Sequence, residues 1–243
     1  MQWVDDAFVL SLERYGERSF IMTTLTHQHG LRRGLVRQAV RYGKPYGITE
    51  RVRVLWRARH EERLGTFQVE SLRNPPLAIF THDMAPILLR GVIDLIRGFC
   101  SESESFPQLF EGVDGLLLAM DQELLWRSTY LRFELLLLGQ IGYALDLEKC
   151  SVTNSKSELL YISPRTGHAV SRSVAKGYES RLLPLLPTLI DPSMVKTNDD
   201  LHKALMVTGH FLRKVAQSMD ISAYLQSRQL FVQKLSGNNE GNI

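Results

Sequence analysis

The sequence predicts an α+β protein in two parts, a small β-barrel followed by an α-helical domain. Three observations predict it. Apolar residues alternate in short, β-branched runs over the first 75 residues, they recur every three or four residues from Pro86 onward, and positive charge gathers in the first third. At 243 residues the chain suffices for one large or two small domains, and 44% apolar with 23% charged residues is a globular composition, not a disordered one.

The β part comes first. "AFVLSL" and "SFIMTTL" are apolar runs joined through "ERYGER", whose Tyr-Gly step marks a tight connection. "RVRVLWRAR" alternates most clearly. Val52, Val54, Trp56 and Ala58 share one face of a strand, while Arg51, Arg53, Leu55, Arg57 and Arg59 share the other. After Gly65 follows "TFQVESL", closed by Asn74-Pro75-Pro76. Five short strands in so few residues suggest a small closed barrel, and the oligonucleotide-binding (OB) fold is the common barrel of that size.

From Pro86 the period changes. Ile87, Leu88, Gly91, Val92, Leu95, Ile96 and Phe99 predict one helix, Phe106 to Met120 a second and Glu123 to Ala144 a third. In the third, Leu135, Leu138, Ile141 and Gly142 are expected to pack inward, with Gly139 and Gly142 permitting close helix contact. Cys150 to Ser171 breaks the helical rhythm, and its "SPRTG" reads as a turn between two short strands. Two further helices fit Asn198 to Met219 and Ser222 to Leu235. The domain boundary is placed at residues 78/79, with an insertion at about 148–172.

Net charge is only +3, with a pI near 8.9, but it is unevenly spread. Residues 1–80 hold 13 Lys or Arg against 8 Asp or Glu, and residues 81–243 hold 16 against 18. "HGLRRGLVRQAVRYGKP", His29 to Pro45, carries five basic residues and no acid. A solubilising surface mixes signs, whereas phosphate neutralisation accounts for an acid-free run. Arg33, Arg37 and Arg41, four apart, share a face in either backbone geometry, roughly 13 Å between neighbours in a strand at about 3.3 Å per residue. Arg32 and Lys44 flank the row, and Arg51 and Arg53 are candidates to extend it. Tyr42 and Tyr46 are candidates for base stacking as well as for loop packing; Trp56, on the apolar face of its strand, is expected in the core.

"WVDDAFVLSLERYGERSFIMTTLTHQHG", the basic run, "LRFELLLLGQIGYALDLEKC" and "YISPRTGHAVS" follow one another in an order that resembles the RecO family of bacterial recombination mediators. The resemblance covers most of the chain. It implies an N-terminal OB domain and a helical domain with a small zinc-ribbon-like insertion. It further implies a non-enzymatic protein that binds single- and double-stranded DNA and anneals complementary strands. With RecR, such a protein helps RecA, an indirect partner, load onto strands coated by single-stranded-DNA-binding protein (SSB). A groove in the family's helical domain receives the acidic C-terminal tail of SSB, and Arg132 matches the position expected to hold that tail's carboxylate, the alternative being a helix-surface arginine bonded to Glu134 or a neighbour.

Two departures stand out. Some members carry two Cys-x-x-Cys pairs in the insertion; the matching positions here are Cys150, Thr153, Ser171 and Val174. One thiolate cannot build a tetrahedral zinc site, so no metal is expected and Cys150 is read as a small buried side chain. Where the family often has a Gly-Ala-Arg step, this chain has Ala39-Val40-Arg41. Arg41 and Lys44 persist; the glycine does not.

Other classes find little support. His27 and His29 have no carboxylate between Arg18 and Thr49 to complete a metal site, and adjacent Asp5 and Asp6 face opposite ways in a strand. No phosphate-cradling loop or nucleophile elbow occurs, so neither ATP nor another cofactor is expected. The acidic N-terminus does not read as a signal peptide, and Leu131 to Leu147, broken by charges, is too short to span a bilayer. A cytoplasmic, nucleoid-associated protein is expected, with no membrane partner. An RNA- or ribosome-associated OB protein, or an adaptor without nucleic acid, are the competing readings, because a phosphate row does not read sugars.

Overall fold

The computed structural model describes residues 1–37, 40–41, 44–60, 64–102, 104–122 and 125–237. The N-terminal strands are β1 (Gln2–Tyr15), β2 (Ser19–Thr26), β3 (Gly30–Arg37), β4 (Val40–Arg41), β5 (Lys44–Pro45), β6 (Arg51–Arg57) and β7 (Gly65–Arg73). Five of them close a barrel in the order β1-β2-β3-β7-β6, and among the described residues β4 pairs with β5 alone. All barrel pairings are antiparallel except β3 with β7, which is parallel. This is an OB-like barrel.

Alternation explains its interior. Ala7, Val9, Met22, Val36, Val52, Val54, Trp56 and Phe67 fill it. The β3–β7 closure pairs Gly34 with Gly65. A Cβ at Gly34 would enter the Phe67 ring, and one at Gly65 would collide with the Trp56 indole, so two large aromatics are admitted by two missing side chains.

The helical region consists of α1 (Ala78–Thr81), α2 (Ala85–Phe99), α3 (Pro107–Ala119), α4 (Trp126–Gln140), α5 (Arg172–Ala175), α6 (Pro187–Ile190), α7 (Asn198–Ser218) and α8 (Gln226–Gly237). Between α4 and α6 lies a three-stranded sheet in the order β10-β8-β9, from β8 (Leu159–Ile162), β9 (Ala169–Ser171) and β10 (Leu183–Pro184). The "SPRTG" turn joins β8 to β9 as expected. Thr197 and Asp200 form a reciprocal capping box that starts α7.

The third helix is shorter than its apolar run. Gly142, at φ +81°, stops it. Its N–H donates to the Gly139 carbonyl, and the Tyr143 N–H donates to that of Leu138, the paired bonds of a Schellman ending. Nothing lies close to a Cβ added at Gly139 or Gly142, so neither glycine admits a neighbour, and Gly142 ends the helix. Ile141 and Leu135 are only partly buried; Leu131, Phe133, Glu134, Leu137 and Leu138 form the buried face.

Glu134 is the unexpected member of that face. It accepts two bonds of 2.8 Å from Arg228 of α8 and one of 2.5 Å from the Thr208 hydroxyl of α7. A third helix is thus tied to α4 through one carboxylate. Burial, with the Glu134 charge beside it, pushes the neighbouring Tyr130 phenol well above its ordinary range.

The two parts share a core. Phe8, Leu10, Leu25 and Leu31, on the outside of the barrel, belong to the same apolar cluster as α2, α3, α4, α7 and α8. The Phe8 and Phe110 rings lie 4.7 Å apart across the seam.

Candidate nucleic-acid interface

Strand β3 has two faces. Val36 points inward, Gly34 lies against the Phe67 ring, and Leu31, Arg33, Leu35 and Arg37 alternate on the outside. Leu31 is covered by the helices, whereas Arg33 and Arg37 are exposed. The ladders align three rows across the outer face of β1–β2–β3. Ser11, Thr23 and Arg33 form one, Glu13, Ile21 and Leu35 the next, and Tyr15, Ser19 and Arg37 the last.

The basic row does not run along a single strand. Strand β3 ends at Arg37, and Arg41 begins again in the β4–β5 ladder, where it pairs with Lys44. Tyr42 lies outside the described residues. Arg32 takes the other face of β3 and donates from Nε to the His29 carbonyl at 3.0 Å, at the β2–β3 turn. Tyr46 packs against the barrel interior, and its hydroxyl donates to the Val69 carbonyl at 3.0 Å.

Arg51 and Arg53 do not extend the row. Strand β7 separates β6 from β3, and the Arg51 guanidinium turns toward α3. It pairs with Asp6 at 3.1 Å and Asp114 at 2.8 Å, and lies over the Phe110 ring. Asp114 also pairs with Arg73. Arg53 pairs with Asp6 at 3.1 Å and stands opposite Glu70 on β7. Arg51 and Arg73 thus join the barrel to α3, whereas the Arg53 pair lies within the barrel.

The two histidines engage different partners. His29 stacks on Trp3 at 4.0 Å, and Trp3 stacks on Trp56, so an aromatic column plugs one end of the barrel. Asp5 accepts from the Gln28 and His29 N–H groups and meets His29 Nδ1 at 2.9 Å. His27 contacts Phe110 edge-on and Glu111 at 3.3 Å. Among the described residues no three His, Cys, Asp or Glu side chains stand together as a metal site, and no helix is long and apolar enough to cross a membrane.

The comparisons with known proteins agree on one assignment. The family model described as Recombination protein O N terminal matches residues 1–75, and Recombination protein O C terminal matches residues 91–219. The chain belongs to the RecO family. It is 38% identical over 217 residues to DNA repair protein RecO of Paracoccus denitrificans (strain Pd 1222), covering 88% of this chain and 87% of that protein. It is 35% identical over 239 residues to DNA repair protein RecO of Ruegeria sp. (strain TM1040), covering 97% and 99%.

In this RecO-family chain the four insertion positions gather partly. Cys150 is fully buried and its Sγ accepts from the Ser171 N–H at 3.4 Å. Burial alone would raise its thiol; hydrogen bonds from Ser171 and Thr153 outweigh that and lower it to about 6. Arg132 is exposed on α4 and does not meet Glu134, which is committed to Arg228. Its charge, after the hydrogen bonds from Ser193, helps hold the Asp191 carboxyl below its usual range.

Sequence reasoning missed Tyr15, Arg97 and the seam carboxylates. Arg97 of α2 reaches Glu13 at 3.5 Å and so neutralises the acid in the middle of the outer face. No spacing rule pairs a helix residue with a strand 84 positions away. Tyr15 is the next outward position of β1, but its place in "ERYGER" reads as part of a turn.

Proposed function

We propose that this chain is a non-enzymatic recombination mediator. It binds single- and double-stranded DNA, anneals complementary strands and, with RecR, helps load RecA onto single strands coated by SSB. Membership of the RecO family supports the biological role, and one structural observation supports the chemistry. Arg33 and Arg37 stand exposed on the outer face of β3, beside the chain segment that carries Arg41 and Lys44. A cationic face of this kind screens the repulsion between two phosphate backbones and so speeds pairing of their bases.

Within this reading, residues 1–78 form the DNA-binding domain and residues 79–243 the helical domain. The two act as one body through the seam at Phe8, Phe110, Arg51 and Asp114. Arg132 takes the terminal carboxylate of the SSB tail, supported by its exposure on α4 and by the exposed apolar side chains of Ile190 and Met194 on segments packed near that helix. The protein works in the cytoplasm, at the nucleoid.

The test is fluorescence anisotropy of labelled single-stranded DNA over a salt series. The Arg33→Ala/Arg37→Ala/Arg41→Ala variant, shown by circular dichroism to be folded, is expected to bind more weakly. Its log–log salt slope should flatten by about two, at about 0.7 for each phosphate no longer neutralised. Unchanged affinity and slope would move DNA off this face. Equal affinity for RNA of the same length would favour an RNA-binding role instead.

A further inference from the structure

Tyr15 is an aromatic side chain of the barrel with its ring in solvent. It is 58% exposed, at the last position of β1. Its place is fixed from both sides. It pairs with Ser19 across the hairpin, and Gly16 turns the chain at φ +71° with its carbonyl accepting from Arg14 Nε at 3.3 Å. Ser19 in turn pairs with Arg37. Tyr15 and Arg37 therefore lie in one row, two strand spacings apart, roughly 10 Å at about 4.8 Å each. Only a serine stands between them.

The rest of the face suits a nucleotide more than a protein. Ile21 and Leu35, half-buried, give it an apolar floor in the neighbouring row, and Arg33 lies one row further on the same strand as Arg37. Its acid, Glu13, is held by Arg97. Cations beside a flat exposed ring are the two components of single-strand binding, one for phosphate and one for the base. The other tyrosine of the described barrel, Tyr46, has its hydroxyl bonded to β7 and its ring against the core.

We propose that Tyr15 is a base-stacking platform. An unpaired nucleobase of single-stranded DNA lies on its ring while an adjacent phosphate bonds to Arg37, so that this end of the face favours unpaired over paired DNA. A stacked base on Tyr15 needs a strand that is not yet paired, which places the residue at the substrate side of annealing. The proposal rests on the phosphate-face reading of Arg33 and Arg37.

The experiment compares the full-length chain with Tyr15→Ala, Tyr15→Phe and Arg33→Ala/Arg37→Ala. The probes are labelled oligo-deoxythymidine, an abasic strand of the same length and a duplex. Tyr15→Ala is expected to weaken oligo-deoxythymidine binding about 5- to 150-fold, the range for removal of one base stack, with an unchanged salt slope. Tyr15→Phe should keep wild-type affinity, and neither Tyr15 variant should alter abasic or duplex binding. Oligo-deoxythymidine binding that ignores Tyr15→Ala, or a loss equally large on the abasic strand, overturns the stacking role while leaving the phosphate face intact if Arg33→Ala/Arg37→Ala still binds weakly. Binding that ignores the arginines as well overturns both.

Discussion

Strands β3 and β6 each carry three arginines, and the barrel puts them to opposite uses. On β6, Arg51 pairs with Asp6 and Asp114 and Arg53 with Asp6, so carboxylates of the same chain already answer their charge. On β3, Arg33 and Arg37 stand exposed on the open part of the outer face. Arginine content alone makes the two strands look equivalent. Their neighbours distinguish them: β6 reaches α3 through Arg51, while β3 leaves the helices after Leu31. An arginine-rich strand is therefore evidence of a binding face only once the carboxylates around it are known.

Arg228 is the extreme of the same comparison, a guanidinium almost wholly removed from solvent. With Glu134 it forms a pair whose side chains are 5% and 0% exposed. Removing one partner strands a charge in the core. Arg228→Met is expected to lower unfolding free energy by about 3–5 kcal/mol in urea titration, whereas Glu134→Leu/Arg228→Met should recover most of that loss. If Arg228→Met alone is neutral, the buried pair does not hold α4 to α8.

The seam is the intermediate case, and it sharpens the comparison by a crossed pattern. Arg51→Ala leaves Asp114 and Asp6 each short of a donor and is expected to cost about 1–3 kcal/mol of stability, with single-stranded-DNA affinity and salt slope unchanged. Arg37→Ala should do the reverse. Its stability should stay within about 0.5 kcal/mol, and the salt slope should flatten by about 0.7. An Arg51→Ala variant that flattens the slope as much as Arg37→Ala would return β6 to the DNA face and break the distinction.

These residues also show where sequence reading reaches its limit. Four of the five barrel strands were legible as β-branched or alternating runs, and Trp56 in the core follows from its face alone; β3 was legible only as part of a closed barrel, because the arginine spacing of the basic run suits helix and strand alike. The helical segments were legible from their period. Gly142 was not, because a glycine in an apolar run fits helix packing and helix ending alike; only the bonds from Gly142 and Tyr143 decide. The candidate face was legible as charge. Which arginines stay free was not, since Asp114 lies 63 residues from Arg51 and Arg97 lies 84 from Glu13. Pairings of that separation are made by the tertiary fold and leave no periodic trace.

The last comparison is between the two cysteines, which sequence treats as equals. Both are buried and free. Burial, with help from the Glu104 charge, pushes the Cys100 thiol up to about 12, whereas the bonds from Ser171 and Thr153 bring Cys150 down to about 6. At neutral pH one thiolate is expected, and thiolate absorbance of the native protein should rise through a midpoint near 6. Cys150→Ala should remove that transition, and Ser171→Ala should move it upward. The linkage follows the same sign. Between about pH 6 and 9 the unfolded chain holds a proton on Cys150 that the folded chain has released, so this residue's contribution is complete above its ordinary value of 9.0 and is lost as pH falls through about 6. Cys100 acts only above pH 9, where its suppressed ionisation works against the folded state. Stability of the wild type should therefore gain more between pH 6 and 9 than that of Cys150→Ala. An equal gain in the two, with no absorbance transition near 6, would mean that Ser171 and Thr153 do not hold a thiolate at Cys150.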